Sequence, residues 1–289
     1  MSPNALGAIL MMASMAAFTL NDTMLKLTAG AVPLFQLLCV RSLITCALIL
    51  ATRNRLGVIH FRFSRQDWIL VLIRAFTEVV VAYFFLSALF NMPLANLTAI
   101  MQVVPLAVTL ASALVLREAV GWRRMLAIAI GFFGVLLIVK PGAEGFNVWS
   151  LYALLAVIGV TIRDLVTRRL SPGVPGMSVT LVTAAAVFLA AGLASLGEPW
   201  VAIDGGTALL IIGSAVFIMG GYFCSIQVMR TGDVSFIAPF RYTGLIWALF
   251  MGWLIFGEWP GLLTQIGAVI VVVTGVFSFY RERRLASAR

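Results

Sequence analysis

Seven ionisable residues lie inside long apolar stretches of this chain: Asp22, Arg41, Arg74, Glu78, Arg163, Asp164 and Arg241. A charge near the middle of a bilayer costs roughly 2.5–3.5 kcal/mol on insertion scales, so such residues face a partner or a watery cavity. The chemistry they offer is ion pairing, proton exchange and polar contact with a solute. Arg74 and Glu78 are four apart, on one helical face and within pairing reach. Arg163 and Asp164 are consecutive, about 100° apart around a helix, so each is expected to look to other helices. Asp22 is followed by Lys26, and Asp164 by Arg168, at the same four-residue interval.

Bond-making chemistry has no comparable set. The only histidine, His60, sits in a basic stretch, and Cys39, Cys46 and Cys224 all fall in apolar runs where they read as small core side chains. There is no paired-His zinc motif, no Gly-x-Ser-x-Gly elbow and no phosphate-binding Gly-Lys loop. The expectation is therefore no catalytic residue, no metal and no cofactor, and not an enzyme.

The elements that position these charges follow from composition. Of 289 residues 62% are hydrophobic and only 11% charged, where a soluble domain carries about a quarter charged. A helix needs roughly 20 apolar residues to cross the hydrocarbon core. Ten stretches qualify: Ala5–Leu27, Pro33–Ala51, Trp68–Phe90, Leu94–Leu116, Met125–Val139, Trp149–Val166, Met177–Leu196, Ala208–Met229, Val234–Phe256 and Leu262–Tyr280. An all-α integral membrane protein is predicted.

With the C-terminus inside, the inner connections and tail hold Arg53, Arg55, Arg62, Arg65, Arg117, Arg123, Arg124, Arg168, Arg169, Arg230, Arg281, Arg283, Arg284 and Arg289, against Lys26 and Lys140 outside. That bias sets both termini in the cytoplasm. The net charge of +9 is thus spread over loops rather than gathered on one soluble face, which argues against nucleic acid as a partner.

Two stretches read as drifted copies. One runs from Ala82, Tyr83 and Phe84 through Leu116 to Glu118, the other from Gly221, Tyr222 and Phe223 through Ile255 to Glu258. The best linker, Pro141 to Gly145, leaves five spans on either side. The division expected is 5–140 and 149–280, followed by a basic cytoplasmic tail, 281–289. An odd number of spans per half inverts the halves, and inverted repeats place a solute site where they meet. Pro105 and Pro239 lie inside the fourth and ninth spans, where each removes a backbone donor. Gly131, Gly134, Gly267 and Gly275 give the fifth and tenth spans small faces, which suit packing within a monomer or across a homodimer seam.

Residues present in one half only point to the solute rather than the shared fold. Thr183 stands opposite Arg41, Phe217 opposite Glu78, and Gln102 opposite Arg241. Arg41, Gln102 and Arg241 are therefore cavity candidates, with the rings of Tyr83, Tyr222, Phe240, Tyr242 and Trp247, since pockets for flat ligands combine rings with a few polar groups. Asp22, Arg74, Glu78, Arg163 and Asp164 are candidates for gating or proton coupling, and also read as architectural pairs. A channel remains the alternative from another class.

The chain resembles the drug/metabolite transporter superfamily, in its ten-helix form with two EamA-type repeats. The resemblance rests on Asn21, Asp22 and Lys26, then Arg41 and Arg74, Glu118 with Trp122, Gly131 and Gly134, and Lys140 with Pro141. In the second half it rests on Arg163 with Asp164, the run Ala238 to Tyr242, and Gly257 with Glu258. It implies a bacterial inner-membrane carrier of a small molecule, embedded in the lipid bilayer, with a central cavity between the halves. Asn21–Asp22 and Pro239–Tyr242 are similar to branches that include riboflavin importers and S-adenosylmethionine importers. A flat, uncharged cargo suits the aromatic supply, and riboflavin uptake is the expectation. S-adenosylmethionine import or export of an amino acid or other metabolite are its alternatives.

Overall fold

The computed structural model describes residues 3–56, 59–115, 121–140, 147–230 and 237–286. Glu118, Arg117, the linker from Pro141 to Gly145, and Asp233 lie outside them, as do the side chains of the tail arginines. Among the described residues the chain is entirely helical and connected by short turns.

The first three spans are the helices Pro3–Leu27, Leu34–Leu56 and Arg65–Asn91. The fifth to eighth are Trp122–Val139, Val148–Arg168, Gly176–Ala194 and Gly205–Arg230, and the tenth is Leu262–Ala286. The fourth and ninth are each built from two pieces. Leu94–Met101 is followed by Val104–Val115, and a short, tighter helix, Ala238–Tyr242, by Thr243–Phe256. Eight of the ten are long and apolar enough to cross a membrane; Met125–Val139 and Leu262–Ser278 are shorter apolar segments.

Local chemistry fixes several ends. The Ser64 hydroxyl accepts from the Asp67 amide at 3.0 Å and donates to the Asp67 carboxylate at 2.7 Å, starting the third span. Asn147 caps the sixth through the Trp149 amide, also at 3.0 Å. Asp204 caps the eighth by accepting from the Gly206 amide at 2.8 Å and the Thr207 hydroxyl at 2.6 Å. Those bonds, the Thr207 hydroxyl foremost, hold the Asp204 carboxyl below the usual carboxylate range. Gly257 ends the ninth span at φ 64°, a left-handed conformation that glycine adopts without a Cβ penalty.

Packing carries the symmetry. The first span lies against the eighth and the third against the sixth; the first also meets the ninth, as the sixth meets the fourth. Second packs on seventh, fourth on ninth and fifth on tenth. Exchanging each span with the one five later reproduces the same pairings. The fold is thus two five-helix repeats, and five crossings in each make them mutually inverted. The fifth and tenth spans touch backbone to backbone: a Cβ on Gly134 would stand 2.9 Å from the Gly267 carbonyl oxygen. The small faces are therefore used within the protomer.

Candidate functional site

The two broken spans meet at the centre. Pro105 and Pro239 cannot donate to the preceding turn, and the chain departs from regular α-helix at Gln102–Val103 and at Ala238–Tyr242. Irregular backbone at membrane depth is stable only where protein or a cavity surrounds it. The amide of Gln102 reaches the Arg241 carbonyl at 3.5 Å, so matching positions of the repeats face each other.

Beside them lies a cavity of ≈ 300 Å³, at the lower end of the range for small-molecule sites. Helices of both halves line it. The first contributes Phe18, Asn21 and Asp22, the second Arg41, the third Glu78 and Phe85, the fourth Thr98 and Gln102, the sixth Arg163 and the ninth Arg241.

Arg163 neutralises two carboxylates, bonding Glu78 at 3.2 Å and Asp164 at 3.0 Å. Arg41 donates to the Asn21 side-chain oxygen at 3.1 Å, and the Asn21 amide donates to Asp22 at 2.8 Å. Asp22 thus has no cation within ion-pair distance among the described residues, and Arg41 keeps its Nε without a protein partner. The cavity wall holds three guanidiniums and two carboxylates, and Asp164, paired with Arg163, brings the cluster to three of each sign.

Of the residues singled out from sequence, Asp22, Arg41, Glu78, Gln102, Arg163 and Arg241 come together here. Asp164 joins through Arg163. The rings do not: Tyr83 stacks on Phe35 at 5.8 Å and lines a separate groove facing the second and seventh spans. Tyr222 stands edge-on to Phe18 at 5.5 Å and lines another cavity. Tyr242 is buried against Gly275 of the tenth span, and Phe240 and Trp247 are half-buried off the cavity wall.

Four pairings differ from expectation. Arg74 bonds the Thr167 hydroxyl at 2.6 Å rather than Glu78, because Arg163 from the facing helix has taken that carboxylate. Arg163 does reach its neighbour Asp164, since its long side chain folds back along the helix. Lys26 meets Glu258 at 2.8 Å rather than Asp22, and also donates to the Met92 carbonyl at 2.6 Å. Glu258 in turn accepts from the Leu94 amide at 3.0 Å. Arg168 bonds the Ser112 hydroxyl at 2.9 Å.

The rings that do line the cavity, Phe18 and Phe85, were within reach of the sequence. Each lies on the face of a named charge, Phe18 four residues before Asp22 and Phe85 seven after Glu78, and the helical period links them.

The EamA-like transporter family matches the chain twice, over residues 5–140 and 147–280. A riboflavin transporter of Vibrio cholerae is 28% identical over 276 residues, 94% of this chain and 92% of that one. An S-adenosylmethionine uptake transporter of Rickettsia bellii is 27% identical over 202 residues, 68% and 67% of the two chains. A pseudopaline exporter of Pseudomonas aeruginosa is 26% identical over 273 residues, 92% and 93%. A solved crystal structure superposes with a TM-score of 0.68 at 20% identity, covering 96% of this chain and 98% of the other, which supports the fold alone.

Proposed function

We propose that this chain, which belongs to the EamA-like transporter family, carries a small metabolite across the bacterial inner membrane by alternating access, with riboflavin as its cargo. The observation that carries the reading is the charged cavity at the meeting of two inverted repeats, a site built from both halves. The near full-length likeness to a riboflavin transporter supports the cargo. So do Phe18 and Phe85 beside the amide of Gln102 and the guanidiniums of Arg41 and Arg241, which suit a flat ring system bearing carbonyl acceptors.

Both termini and the tail, 281–289, face the cytoplasm in this reading, as the arginine bias requires, and the halves divide at 5–140 and 149–280. Lys26 and Glu258 seal the outer end of the cavity. The Arg163–Glu78–Asp164 triad closes the wall between the third and sixth spans. Asp22, a cavity carboxylate with no cation within ion-pair distance among the described residues, is the proton-coupling residue. The fifth and tenth spans use their glycine faces on each other, which favours a monomer over a homodimer joined at those faces.

The test is uptake of labelled riboflavin into proteoliposomes, with S-adenosylmethionine in parallel. Saturation and acceleration by unlabelled riboflavin inside are expected. Saturable flux of S-adenosylmethionine alone would reassign the cargo, and conductance without saturation would make the protein a channel.

A further inference from the structure

We propose a second ligand site, an anion site at the arginine-rich end of the bundle, in which Arg74 holds a carboxylate or phosphate group. A cavity of ≈ 370 Å³ opens there between the third, sixth, seventh and eighth spans, lined by Arg74, Thr167, Ser171, Thr180, Tyr222 and apolar side chains such as Met219. It is separate from the central cavity, and the contact between Tyr222 and Phe18 stands between the two.

Arg74 is a cation set inside a span with no carboxylate within ion-pair distance among the described residues. The acid on its own helical face, Glu78, is taken by Arg163. Its hydrogen-bond partner among the described residues is a neutral hydroxyl: Thr167 accepts from Arg74 at 2.6 Å and donates its own hydrogen bond to the Arg163 carbonyl at 2.6 Å. The Nε of Arg74 is buried with no hydrogen-bond partner among the described residues. A guanidinium is a planar fork of five donors that fits two oxygens of a carboxylate or phosphate at once. A donor left unmet at the wall of a cavity needs an acceptor supplied by what enters it. The hydroxyls of Ser171 and Tyr222 add further donors, whereas that of Thr180 is given to the Gly176 carbonyl at 2.9 Å. Among the described residues no carboxylate lines this cavity, and Arg169 at the end of the sixth span adds a positive charge to this end of the bundle.

The same chemistry is offered by a soluble oxyanion and by the headgroup of an anionic lipid, and the experiment separates them. Purified protein in detergent, free of added lipid, is treated with phenylglyoxal, and modification of Arg74 is followed by mass spectrometry with phosphate or with chloride at equal ionic strength. A soluble-anion site predicts that phosphate at ten times its dissociation constant slows labelling of Arg74 about tenfold, with Arg62 unaffected. A lipid site predicts protection in vesicles containing phosphatidylglycerol and none in phosphatidylcholine. Arg74→Gln should abolish phosphate- or lipid-dependent thermal stabilisation, and Arg74→Lys should retain part of it. Unprotected Arg74 in all three media would overturn the proposal. This readout needs no transport, so it stands or falls apart from the cargo assignment.

Discussion

Lys26 and Glu258, at the ends of the first and ninth spans, join opposite repeats by a 2.8 Å ion pair. Only 9% of the lysine side chain is exposed, and its ammonium also stands 5.0 Å from the centre of the Phe256 ring. The pair further draws in the turn between the third and fourth spans, through the Met92 carbonyl and the Leu94 amide. Four span ends are thus held by two side chains.

In the proposed orientation this clasp lies at the outer end, and breaking it should open that end. Removing one partner of a buried pair costs about 3–5 kcal/mol, because the other is left uncompensated. Lys26→Met should speed labelling of a cysteine placed at Thr98 by a membrane-impermeant thiol reagent from the outer face, and should slow cargo uptake. The exchange Lys26→Glu with Glu258→Lys should recover part of both, and labelling rates in the variant vesicles check it.

The triad centred on Arg163 predicts an order of severity. Arg163→Gln leaves Glu78 and Asp164 without a countercharge and should be the most destabilising single change, by about 3–5 kcal/mol. Adding Glu78→Gln should restore part of the loss. Thermal unfolding followed by size-exclusion chromatography in detergent compares the variants.

In the proposed reading Asp22 separates coupling from binding. Asp22→Asn keeps the size and the hydrogen bond with Asn21 but cannot exchange a proton. Uptake driven by a pH gradient should fall more than tenfold, roughly the weight of one essential proton carrier, while cargo binding changes little. A pH-sensitive dye trapped in the vesicles reports the proton flux directly.

The contact between the fifth and tenth spans tolerates no added bulk. Gly134→Val would drive its side chain into the Gly267 carbonyl and Ile270, and helices that approach this closely rely on small residues. Loss of monodisperse protein is expected, whereas Gly173→Ala, where nothing lies within 4 Å, should behave as the parent does.

Asp204 gives a pH signature outside the membrane. Its carboxyl titrates lower in the folded protein than in the unfolded chain, chiefly through the Thr207 hydroxyl. The stabilisation is complete above the unfolded value of about 3.9 and is lost as pH falls through the folded value. Asp204→Ala should therefore lower the unfolding midpoint at pH 7, with a difference that shrinks below pH 4 in the same thermal assay.

Ten spans, their order and the charges that sit in them were legible in the sequence, because the bilayer imposes length and apolarity on every crossing. Pro105 and Pro239 marked the two broken helices for the same reason: a missing backbone donor is a covalent property. The identity of each charge's partner was not legible. Arg74 and Glu78 share a helical face, yet a guanidinium on a helix 85 positions away holds the glutamate. Lys26 finds its carboxylate 232 positions away in the other repeat. Spacing along one helix fixes which side chains share a face. Which face meets which neighbour is set by packing and inversion of the repeats, and only the assembled bundle decides it.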